Sequence, residues 1–167
     1  EGTAISRPQR IRNALRASAI DDAVVDRFLD DVGESYVYQV GAGEAERHLG
    51  LLATAENEGF AWNHEVHGAA VMLELASRNR RGLLAEVAAA VAGNGLQVVD
   101  ARTWCTRGEL VLHSFRLEAE FPATLAEDRT WTRLERDLRA VVAGEADPQR
   151  FIERQRARLG QDRPADS

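Results

Sequence analysis

The histidines and the cysteine, the side chains that most often do nucleophilic, acid–base or metal chemistry near neutral pH, are few and scattered: His48, His64, His67, His113 and Cys105. In "HEVH" the histidines His64 and His67 stand three apart. A zinc-protease helix needs His-Glu-x-x-His with four, and on a strand a three-residue step sends the two rings to opposite faces. His48 falls on an otherwise apolar helix face, the place of a packed core histidine, though such a ring can titrate near neutrality. His113 alternates with Leu112 and Ser114 in a strand and is expected to face solvent. Cys105 is the single cysteine, which excludes an internal disulfide, fits a reducing cytoplasm and leaves no Cys–His pair within one motif. "GAGEAE" and "AGNGLQ" lack the third glycine of a dinucleotide fingerprint. With no nucleophile, base and metal set at usable spacing, the chain as given is expected to be no enzyme and to need no cofactor.

Binding chemistry is better represented. In "ASRNRRGLLAEVAAAVAGNG" a polar turn runs into an apolar helix beginning at Leu83, whose first backbone N–H groups have no partner within the helix. Gly82 has no side chain to block a guest approaching them. Such a helix start is worth about 0.3–1 kcal/mol to an exposed anion and up to about 2 when partly buried, enough to orient a carboxylate but not to hold it alone. Arg80 or Arg81 would add a charge-assisted hydrogen bond.

The elements that must position this turn can be read from periodicity. Three amphipathic helices are predicted over 8–56: one with Ile11 and Leu15, one capped by Asp21 with Val24, Val25, Phe28, Leu29 and Val32, and one with Ala45, His48, Leu49, Leu52 and Ala55 closed by Gly59. "FAWNHEV" alternates as a strand and "AAVMLELAS" is a second. The helix with Leu83, Leu84, Val87, Ala88 and Val91 follows. Next come "LQVVDARTWCT" and "LVLHSFRLEAEF", a hairpin turning at Gly108, and a helix with Trp131, Leu134, Leu138, Val141 and Val142. From residue 69 the order strand, helix, strand, strand, helix supplies five of the six elements of a split βαβ unit. The sequence therefore predicts an α+β, ferredoxin-like antiparallel sheet with two helices on one face, after a small helical segment. Residues 60–66 would supply the closing edge strand. The expected organisation is a helical connector over 1–58, the sheet domain over 59–145 and a polar helical tail over 146–167. Composition narrows the partners. All 21 basic residues are arginine, spread through every segment as a coding bias would spread them, and the net charge is -6, so no nucleic-acid face is expected. No stretch approaches a membrane span, and the abrupt start "EGTAIS" suggests a natural beginning further upstream.

The stretch "LELASRNRRGLLAEVAAAVAGNGLQVVDARTWCTRGELVLHSF", with its Gly-Leu-Leu turn, Gly-x-x-Val and Asp-Ala-Arg strand, resembles an ACT domain, a small-molecule regulatory module. "DRFLDDVGESYVYQVGAGEAERHLGLL" resembles the lead into the first ACT domain of the bifunctional protein-PII uridylyltransferase/uridylyl-removing enzymes. "RLERDLRAVVAGEADPQRFIERQRAR" resembles the linker that follows it. The resemblance implies a glutamine-responsive sensor that pairs as a homodimer, with the ligand between the turn of one subunit and the start of the next strand in its partner. Here that set is Asn79, Arg80, Arg81, Gly82 and Leu83 together with Gln97 and Val98. Gln97 offers both a donor and an acceptor. Asn79 stands where the family usually has an acid, Arg81 where a proline is frequent, and His113 where an aspartate is frequent, so a counter-charge for the ligand ammonium is missing from the turn. The second ACT domain and the catalytic regions of those enzymes are absent from this stretch, which reads as a fragment of a longer regulator or as a free-standing ACT dimer. Such a dimer would bind another amino acid or serve only as a dimerisation scaffold.

Overall fold

Local signals place the first helices. Ser6 accepts the Gln9 amide and Pro8 presets the opening turn of α1 (Arg7–Ala17), while Asp21 accepts the Ala23 amide at 2.8 Å to start α2 (Asp22–Val32). The computed structural model describes residues 4–161. Where the sequence predicts three helices over 8–56, four are found: α3 (Glu34–Gln39) lies between α2 and α4 (Ala42–Glu58). Its six residues, "ESYVYQ", are too few to show a period and rich in poor helix formers. Burial of Tyr36 and Val37 holds the turn instead.

The sheet is antiparallel and four-stranded, in the order β1-β2-β4-β3. β1 (Phe60–His67) and β2 (Ala70–Arg78) form a hairpin through Gly68, whose φ of 64° suits the first central position of a two-residue turn. β2 leads through α5 (Leu83–Gly93) to β3 (Leu96–Cys105), which turns at 106–109 into β4 (Leu110–Ala119). β4 lies between β2 and β3, so the crossover through α5 skips one strand, as in a split βαβ unit. β1 fills the edge beside β2, where the alternating 60–66 stretch was expected. The architecture is compatible with a ferredoxin-like α+β fold. The central strands are buried on successive residues, Leu73–Ser77 and Val111–Phe115, whereas edge strand β3 buries only Leu96 and Trp104.

By packing, the chain divides into two compact units. The helical unit takes the chain up to Trp62 with Glu74–Asn79 and Thr103–His113; the second takes Asn63–Leu73, Arg80–Arg102 and Ser114 onward. The core of the helical unit gathers Ile11, Leu15, Val25, Phe28, Tyr36 and Trp104 among others, with the Tyr36 ring edge-on to Phe28 and to Trp104. Val24, expected on the buried face of α2, is instead exposed beside buried Val25. In the second unit α5 packs on α6 (Asp128–Val142) and α7 (Pro148–Gln161). A Cβ on Gly93 would come within 3.1 Å of the Phe151 Cβ, so glycine is what lets these two helices approach. The expected polar tail is therefore a helix docked by one buried phenylalanine; residues 162–167 lie outside the described residues.

Candidate functional site: the turn before α5

Gly82 is the N-cap of α5 with φ 81°, a left-handed conformation that a side chain would strain. A Cβ there would meet only the Glu86 Oε2, at 3.8 Å. The Leu83 amide bonds back to the Arg80 carbonyl at 3.3 Å, and the Glu86 amide to the Gly82 carbonyl at 3.1 Å. Buried Leu83 anchors the helix, while Leu84, expected in the core, is exposed on the next step around the axis. Arg80 is committed: it pairs with Glu86 and donates through Nη2 to the Val141 carbonyl at 2.6 Å, tying the turn to the end of α6. Arg81 is exposed and makes no side-chain hydrogen bond or ion pair among the described residues. Asn79 is held through its amide, which donates to the Glu109 carbonyl at 2.7 Å; its Nδ2 lies 3.8 Å from the Cys105 Sγ.

Five of the seven candidate residues thus sit together. The other two do not join them within one chain. The Asn79–Glu109 bond marks one end of the β2–β4 ladder, and the Ala119 amide reaches Ala69 at the other end, where the Glu120 amide also reaches Gly95. Exposed Gln97 and half-buried Val98 begin β3 beyond the far end of α5, an eleven-residue helix about 17 Å long at ~1.5 Å per residue.

Sequence reasoning passed over Glu86, because an acid in a first helical turn reads as dipole compensation. Its carboxylate lies beside Gly82 and is paired with Arg80. It also missed the extent of a polar network on α4. His48 is fully buried, its Nδ1 2.7 Å from the Tyr36 hydroxyl and its Nε2 on Glu74, whose other oxygen accepts from Arg47 Nε at 3.0 Å. A carboxylate only accepts, so Nε2 donates to it and, in the neutral ring, Nδ1 accepts from Tyr36. Burial alone would push the Glu74 pKa up; the bonds from His48 and Arg47 outweigh it and leave the carboxyl below its ordinary range. Hydroxyl, imidazole and carboxylate in series could move a proton, but Tyr36 and His48 are both sealed from solvent, and the chain acts as a tie between α3, α4 and β2. His113, expected to face solvent, is buried against the Thr103 hydroxyl at 3.0 Å, and burial lowers its pKa to about 4.

Neither a family model nor a curated protein matches this chain. His64 stacks on Trp131 at 3.8 Å while His67 is exposed beside Glu65, and no cluster of three metal-ligating side chains is found among the described residues. No helix of the described residues is long and apolar enough to cross a membrane. The helical unit carries an open cleft of about 440 Å³ whose lining includes Phe28, Leu49, Leu52 and Leu110 together with Arg27 and Glu56.

Proposed function

We propose that this chain is an amino-acid-sensing regulatory region of the ACT type, glutamine-responsive, from a nitrogen regulator resembling the protein-PII uridylyltransferases. It has no catalytic role of its own in this reading and works in the cytoplasm as a homodimer. The observation that carries the proposal is the left-handed, uncrowded Gly82 at the start of α5 with the uncommitted guanidinium of Arg81 next to it; the Glu86 carboxylate on the other side already pairs with Arg80. A free amino acid is a zwitterion, and Arg81 would take its carboxylate at the helix start, while its ammonium would share Glu86 with Arg80. Gln97 and Val98 of a second copy would close the site over the side chain, which makes ligand binding and dimerisation one event. Coupling of this kind is typically about 1–3 kcal/mol.

Titration calorimetry with glutamine and a panel of other amino acids tests the proposal. Binding of glutamine that falls at least tenfold in Arg81→Gln and is lost in Gly82→Val is expected, with sedimentation showing a dimer tightened by ligand. Silence across the panel would leave the dimerisation scaffold as the better reading, and binding untouched in both variants would put the site elsewhere.

A further inference from the structure

The second unit holds a cavity of about 270 Å³ whose lining includes Asn94, Phe121, Thr124, Arg133, Arg154 and Arg158 and no carboxylate. Three guanidiniums on one small cavity stand out in a chain of net charge -6.

Two of the three are fixed from behind. Arg154 donates to Asp137 Oδ2 at 2.7 Å, and Arg158 donates to the Ala92 and Gly93 carbonyls at the end of α5 with its Nε 3.2 Å from Glu120. Arg133 has no carboxylate of its own: its Nε donates to Asn94 Oδ1 at 2.8 Å. Asn94 is itself buried and held by the Ala90 carbonyl and Asp137, so this amide oxygen is aimed at Arg133. The terminal N–H groups of Arg133 make no other bond among the described residues. Burial, and then the positive charges of Arg154 and Arg158, lower its pKa, the effect expected where cations outnumber the anions between them. The Phe121 ring, 42% exposed, stands at the same cavity.

We propose that this cavity binds the phosphate of a small phosphomonoester carrying a flat ring, with the phosphate on Arg133 and Arg154 and the ring laid on Phe121. A planar guanidinium offers a phosphate two parallel N–H donors, a match that an isolated surface arginine has no reason to be preset for. The site is independent of the turn before α5.

Calorimetry with AMP, inorganic phosphate and adenosine as probes separates the contributions. AMP is expected to bind, phosphate to bind more weakly, and adenosine not at all, with AMP affinity falling as salt rises. Arg133→Gln, at an exposed position, should weaken AMP at least tenfold without lowering the melting temperature, and Phe121→Ala should weaken AMP but not phosphate. Absence of both AMP and phosphate binding, adenosine binding as tightly as AMP, or full AMP affinity in Arg133→Gln would each overturn the proposal; equal AMP affinity in Phe121→Ala would remove the ring from it.

Discussion

Glu74 in the helical unit and Asp137 in the second are both buried carboxylates at the centre of a polar network, but their surroundings are charged differently. Glu74 has two donors, Arg47 and His48, one on each carboxylate oxygen. Asp137 has Arg154 at 2.7 Å and Arg136 at 3.6 Å, with Arg133 close enough for the three charges to be felt together. In the first network donors and acceptors balance, and apolar side chains such as Trp104 close over it. In the second a cation is left over at the wall of a cavity. Balance marks a tie whose whole effect is on stability, whereas surplus charge of one sign marks a place where a further partner lowers the free energy.

The strongest way to break this comparison is to delete the carboxylate of the balanced network. Glu74→Ala leaves His48 Nε2–H buried without its acceptor and should cost about 3–5 kcal/mol, the range for removing one partner of a buried polar pair. Urea melts at neutral pH would show it as a lower midpoint. A loss under ~1 kcal/mol would mean that water reaches His48 and that the network is not sealed.

Acid sharpens the same contrast. His113, also in the helical unit, has its folded pKa lowered from 6.5 to about 4, so between those values the unfolded chain binds the extra proton. The stabilisation is complete above pH 6.5 and declines as pH falls towards 4, by about 3 kcal/mol at ~1.4 kcal/mol per pKa unit. Glu74, with its pKa lowered, adds a loss of the same sign below pH 4.5. Melting temperatures across pH 4–7 should fall towards acid, and His113→Asn should flatten the part between 6.5 and 4. An unchanged slope in that variant would assign the titration to another group.

The order of sheet elements was legible because each strand and helix carries its own period: "FAWNHEV" and "AEVAAAVAG" differ in repeat, and the vacant edge beside β2 left one place for 60–66. At the turn before α5 the sequence showed only that Gly82 has no side chain to block the helix start; its left-handed conformation, φ 81°, comes from the structure. Side-chain partners were not. Nothing in the sequence ties Tyr36 to His48 and Glu74, which come from α3, α4 and β2, and α3 itself has no period to show. His113 read as solvent-facing because alternation within one strand carries no information when both faces are covered. The arginine cavity was hidden by the even spread of arginine through the chain; α6 and α7 must fold before Arg133, Arg154 and Arg158 face one space.

The smallest expected effect discriminates best between the two networks. If Arg133 were a structural tie like Arg47, its loss would leave Asn94 Oδ1 buried without a donor and cost about 1–3 kcal/mol. If it is surplus, removing it relieves repulsion with Arg154 and Arg158, which offsets that loss and leaves stability within about 0.5 kcal/mol of the parent. Asp137→Ala provides the contrast, since it strands Arg154 and Asn94 together and should cost about 1.5–3 kcal/mol. Thermal melts of both variants at low and high salt decide the matter, because repulsion among solvent-accessible cations is screened and a buried amide bond is not. Arg133→Gln should lie slightly above the parent at low salt and converge on it as salt rises. A deficit independent of salt would show that Arg133 is a tie after all, and the two networks would then differ only in how deeply they are buried.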